Sequence, residues 1–65
     1  MLLTRRQRFQ NEEYIIMLYE YQHCLYKSHL YSADGELVLV SDMFTTQAEA
    51  LNSVLNANYT RKCAA

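Results

Sequence analysis

The 65-residue chain has no proline, no tryptophan and a single glycine, Gly35. Linkers, low-complexity tracts and loop-rich architectures are built from proline and glycine, so this composition excludes them. Cysteine is scarce as well. Cys24 and Cys63 are too few for the disulfide framework of a secreted miniprotein, and both are expected to be free thiols, Cys63 an exposed one. His23 and Cys24 are adjacent, but no second cluster offers the remaining ligands that zinc requires, so neither a metal nor a cofactor is expected. Long apolar runs are missing too. The longest, Tyr14 to Tyr19, has six residues, far short of a membrane-spanning helix. Met1-Leu2-Leu3 is too short for a signal core, and the arginines follow it rather than precede it. A soluble cytoplasmic protein with no membrane partner is the expectation.

What the chain does contain is apolar residues at 51%, against 20% charged. Disorder needs the opposite balance, so the chain folds. Its length allows one small domain, and a domain of this size buries only ~60% of its unfolded surface, which leaves it marginal unless something supplements its core. The net charge of −1 hides an asymmetry. Residues 1–11 carry Arg5, Arg6 and Arg8 and no acid, whereas residues 12–65 carry three bases against seven acids. The first segment reads as a basic, mobile arm, residues 12–60 as the domain and residues 61–65 as a short tail.

Three segments have strand character. Tyr14 to Tyr21 is rich in aromatic and β-branched residues with apolar side chains on both alternating faces, and Cys24 to Ser32 and Glu36 to Ser41 follow. Asp34-Gly35 between the last two signals a two-residue hairpin turn, which pairs Tyr31 with Val38, Leu30 with Leu39, His29 with Val40 and Lys27 with Asp42. A helix follows. Thr46-x-x-Glu49 forms a capping box, Ala48, Leu51, Val54 and Leu55 make an apolar stripe, and Asn58 is placed to end the helix. The fold class is α+β: a three-stranded antiparallel β-β-β meander packed by one C-terminal helix.

One helix covers one face of such a sheet, and the other face would expose a set of large apolar side chains that soluble monomers rarely tolerate. A homodimer resolves this, face to face or through paired edge strands. The expected partner interface carries Tyr14, Ile16, Leu18, Leu25, His29, Tyr31, Val38 and Val40.

Catalytic chemistry finds no support. His23 and His29 have no carboxylate or nucleophile at a recognisable spacing, and Ser41-Asp42 lack a nucleophile elbow and an oxyanion-hole glycine. Five of the six tyrosines, Tyr14, Tyr19, Tyr21, Tyr26 and Tyr31, fall in the first hairpin. Such rings serve protein interfaces, and they also stack unpaired bases. The second use needs basic neighbours, and Lys27 is the one base within the predicted strands. The Arg5, Arg6 and Arg8 arm, together with Lys27, keeps nucleic acid as the alternative partner.

From Leu30 through Asp34-Gly35-Glu36 to Ser41, and on through Phe44, Thr45, Thr46, Ala48, Ala50 and Val54, the chain resembles the small YegP-like domain family. The resemblance covers roughly residues 14–58. It implies a β-β-β-α unit of the kind that occurs as two tandem copies packed together, so a single-copy chain is expected to pair with itself. Met17-Leu18 and Phe44-Thr45 carry a fainter similarity to CedA-type cell-division modulators, which share the three-strand-then-helix order and are associated with DNA and RNA polymerase. The sequence therefore leads to a non-enzymatic homodimeric interaction module, a small regulator or phage-type inhibitor that binds a host protein. The alternative is a nucleic-acid-associated protein using the arginine arm and the tyrosine-bearing sheet.

Overall fold

The computed structural model describes residues 1–63, with side chains through Arg61. The Cys63 thiol and the last two residues of the expected tail lie outside the described residues. The elements are β1 (Leu3–Phe9), β2 (Glu12–Gln22), β3 (Leu25–Ser32), β4 (Leu37–Val40) and α1 (Gln47–Cys63), and the antiparallel sheet has the order β1-β2-β3-β4. The three-stranded expectation is thereby corrected: the sheet has four strands, because Leu3–Phe9 pairs along β2 from Leu3↔Leu18 to Phe9↔Glu12. The missing sequence signal was the turn. Gln10 and Asn11 both adopt positive φ (50° and 66°), the geometry of a type I′ hairpin, without the glycine that normally announces it. The arginines that suggested a solvated arm are also what edge strands carry, since charge on an edge discourages further strand pairing.

The β3–β4 turn differs from the expected two-residue loop. The Gly35 amide donates to the Ser32 carbonyl (3.0 Å) and the Ser32 amide to the Glu36 carbonyl (2.8 Å), while only Gly35 has positive φ, at 91°. This is a three-residue loop, Ala33 to Gly35, in which a type I turn is followed by glycine in the left-handed region. It shifts the pairing to Tyr31↔Leu37, and a bulge at Val38 shifts it back, so that Leu30↔Leu39 and His29↔Val40 pair as the sequence suggested. The bulge exchanges Leu37 and Val38 between faces. Lys27 does not pair with Asp42; its ammonium lies 5.7 Å from the centroid of the Tyr21 ring.

The helix packs on the face that carries Tyr14, Ile16 and Leu18 of β2 and Ser28 and Leu30 of β3. Ile16, Leu18, Leu30, Ala50 and Val54 are at most 1% exposed there, and Phe9, Val38, Leu39, Leu51 and Leu55 pack around them. Small residues set how closely the layers approach. The Ser28 hydroxyl donates to the Ala50 carbonyl, and the Ser28 amide donates to Ser41 Oγ (2.8 Å), so these buried polar groups are satisfied. Thr46 caps the helix: its Oγ1 accepts from the Glu49 amide (3.2 Å) and donates to the Glu49 carboxylate (2.9 Å). Asn58 does not end the helix. It is buried within it, and its Oδ1 accepts from Arg61 (3.2 Å), while the adjacent Tyr59 ring meets Phe9 edge-on at 5.5 Å and ties the helix to β1. Among the described residues no helix is long and apolar enough to cross a membrane.

Candidate interaction surface on the open sheet face

Among the described residues no element lies over the second face of the sheet. Because strand residues alternate, the register assigns its rows directly. One row runs Arg6–Ile15–Tyr31–Leu37, the next Thr4–Met17–His29–Val40, and a third carries Tyr19 and Lys27. Tyr21, the extra residue where the β2–β3 register shifts, joins this face through its contacts with Tyr19, Lys27 and His29.

His29 is the centre of an aromatic cluster. Its ring centroid is 4.7 Å from that of Tyr19 and 6.1 Å from that of Tyr31. Nε2 lies 3.1 Å from the Tyr21 hydroxyl and Nδ1 3.2 Å from the Tyr31 hydroxyl. In the neutral imidazole one nitrogen accepts from a phenol and the other donates to one, so the two tyrosines hold the ring plane from both sides. Desolvation first, and the nearby Lys27 charge second, lower the pKa of His29 below its ordinary 6.5. Desolvation, followed by Tyr19, raises that of the Tyr31 phenol. Both shifts favour the neutral forms of His29 and Tyr31.

Charge lies around this centre. Arg6, Arg8 and Lys27 occupy open-face positions, and Glu13 is the one acid at such a position in the four strands. Arg8 and Glu13 form an exposed ion pair at 3.7 Å, which is worth at most ~1 kcal/mol. The remaining arginine of the expected cluster, Arg5, pairs with Ile16 and so belongs to the helix-side face. The basic neighbours missing from the strands in the sequence reading are present, because Arg6 and Arg8 are strand residues rather than an arm.

The expected interface set divides between the two faces. His29, Tyr31 and Val40 lie on the open face. Tyr14, Ile16 and Leu18 are closed beneath the helix at 4%, 0% and 0% exposure, and Val38 packs against the same core. Leu25 is half-buried at the start of β3. The physical reason is parity: β2 pairs Ile15 with Tyr31 and Met17 with His29, so Ile15, Met17 and Tyr19 are the β2 residues that share the open face with them. Period-two alternation carried both possibilities, since both faces of β2 are apolar.

A surface concavity of about 430 Å³ lies at the far end of the sheet between Glu12, Glu13, Asp34 and Arg61. Several of its polar groups are engaged locally: the Tyr14 hydroxyl donates to Glu12 Oε2 at 2.7 Å, Glu13 pairs with Arg8 and Arg61 donates to Asn58. His23 and Cys24 form the exposed β2–β3 turn, with Cys24 at φ 61° and its amide donating to Glu20 Oε2 (3.3 Å). Among the described residues no group of three or more His, Cys, Asp or Glu side chains is arranged to hold a metal ion. Compared with family models, curated proteins and solved structures, the chain matches none of them, so its reading rests on its own geometry.

Proposed function

We propose that the chain is a non-catalytic interaction module whose open sheet face is a protein-docking surface. The observation that carries this reading is the continuous uncovered surface of Ile15, Met17, Tyr19, Tyr21, His29 and Tyr31, bordered by Leu37 and Val40 at 55% and 42% exposure. Aromatic and methionine side chains at the centre with charge at the edge is the composition of a protein interface. Large apolar patches on a folded chain mark surfaces that function covers. A cytoplasmic setting belongs to the same proposal, since the exposed thiol of Cys24 suits a reducing compartment.

The test is site-specific photo-crosslinking in the expressing cell, with the photoreactive residue placed at Met17 on the open face or at Asn52 on the exposed side of the helix. Protein adducts from the Met17 position and none from Asn52 are expected. Equal adducts from both positions, or none from either, would refute the assignment of this face.

A second reading has one specific observation behind it: Arg6, Arg8 and Lys27 share the face with four ring side chains. A single-stranded nucleic acid would use those cations for phosphate and the rings for stacking. Binding of oligo(dT) that weakens steeply as salt rises, and is lost in Arg6→Gln/Lys27→Gln, would favour this reading; no binding at low salt would eliminate it.

A further inference from the structure

We propose that a second copy of this chain closes the open face, packed sheet against sheet about a twofold axis near Met17, rather than edge to edge. The proposal rests on the reading of that face as a protein-docking surface and names its occupant.

The edges argue against strand pairing between copies. β1 presents Arg5, Arg6 and Arg8 within seven residues, and an antiparallel β1–β1 pairing would set two such triplets side by side at the ~5 Å spacing of paired strands. Like charges at that range repel in the registers that pair the centres of the two strands. The opposite edge, β4, has four residues and a bulge at Val38, so it offers little regular backbone to a partner.

The face argues the other way. A twofold interface brings a patch against itself, so its centre must not carry charge of one sign. Here the central strands β2 and β3 put no charged side chain into the two middle rows, Ile15–Tyr31 and Met17–His29, Arg6 closing the first of them on the edge strand β1, and the cluster around His29 is hydrogen-bonded within itself. Arg6, Arg8 and Glu13 stand toward the β1–β2 turn and Lys27 toward the β2–β3 turn, at the rim, where water still reaches them.

The size is sufficient. Four strands at ~4.8 Å spacing and ~8 residues at ~3.3 Å rise give a footprint of roughly 500 Å² per copy before side-chain relief. Two copies with that relief reach the lower part of the ~1,200–2,000 Å² range of stable interfaces.

The experiment uses the full chain at about 100 μM. Sedimentation is expected to give twice the chain mass, and isotope-filtered NOEs between labelled and unlabelled copies are expected at the Met17 methyl and the Tyr31 ring. Met17→Glu, and independently Tyr31→Glu, should weaken association at least about 30-fold with the circular dichroism spectrum of the native fold. Intermolecular NOEs confined to residues 3–9 would mean edge pairing and would overturn the proposal. So would a monomer at millimolar concentration. If that monomer's Tyr19 and His29 signals shift with oligo(dT) in a salt-sensitive way, the protein-docking reading falls as well. If they do not, only the self-association falls.

Discussion

Ile15 and Ile16 are adjacent, chemically identical and on opposite faces, which makes them a direct test of the fold. Ile16 is fully buried, pairs with Leu30 on one side and Arg5 on the other, and lies under the helix residue Val54. Its strand is bonded on both sides, so the backbone cannot collapse into the space that Ile16→Ala would leave. Large-to-small changes at such sites cost ~2–5 kcal/mol, and the lack of relaxation places this one in the upper half, at about 3–4 kcal/mol. A 65-residue chain at ~0.05–0.15 kcal/mol per residue has only about 3–10 kcal/mol in total. Ile16→Ala is therefore expected to leave the protein largely unfolded or close to it. Ile15→Ala removes the same atoms from the uncovered face and should cost about 1 kcal/mol or less in the monomer. The β-propensity lost is common to both variants and cancels in the comparison. The assay is urea unfolding at low micromolar concentration, where association contributes least, with m compared between variants. A difference of about 2–3 kcal/mol in favour of Ile15→Ala is expected. The reverse order would mean that β2 is slipped by one residue and that the two faces are exchanged, and equal costs would mean that the open face is as closed as the helix face.

Two turn positions should respond with opposite signs. Gly35 sits at φ 91° with nothing within 4 Å of where a Cβ would stand, so Gly35→Ala carries only a backbone cost of ~1 kcal/mol. At this chain length that lowers Tm by roughly 4–8 °C in calorimetry. Cys24, exposed at φ 61°, is the reverse case, and Cys24→Gly should raise Tm by a few degrees as the ~1–2 kcal/mol left-handed penalty exceeds glycine's ~0.5–1 kcal/mol entropic cost. The pKa of His29 is depressed in the folded state, so the unfolded chain binds more protons near its midpoint, and the His29 contribution to stability is complete above about pH 6.5. It diminishes as pH falls through the folded-state midpoint. An NMR titration of the His29 ring should give a midpoint below 6.5, and a midpoint above it would contradict the packing of the aromatic cluster.

Much of the architecture was legible in the residues. Asp34-Gly35 marked the last hairpin, Thr46-x-x-Glu49 marked the start of the helix, and the aromatic and β-branched run from Tyr14 marked the longest strand. The first strand was not legible, because Gln10-Asn11 makes its turn without glycine and its arginines read equally well as a solvated arm. The end of the helix was missed because Asn58, which often stops helices, is here held inside one by burial and by Arg61. Of the candidate interface, His29, Tyr31 and Val40 could be found from the hairpin register alone. Ile15, Met17 and Tyr19 could not, since no local signal ties the parity of β2 to that of β3.

By itself, then, the sequence determined an α+β unit with a capped C-terminal helix, and more apolar strand surface than that helix can cover. Only the tertiary structure decided which surface is left uncovered. Both faces of β2 are apolar, so alternation alone does not choose between them. The choice is made by bulk: Ser28 on one face lets the helix approach until the hydroxyl reaches the Ala50 carbonyl, whereas Tyr19, His29 and Tyr31 stand on the other and bond to one another instead. One bulge at Val38 and one turn at Gln10-Asn11 then decide which aliphatic side chains and which arginines join those rings.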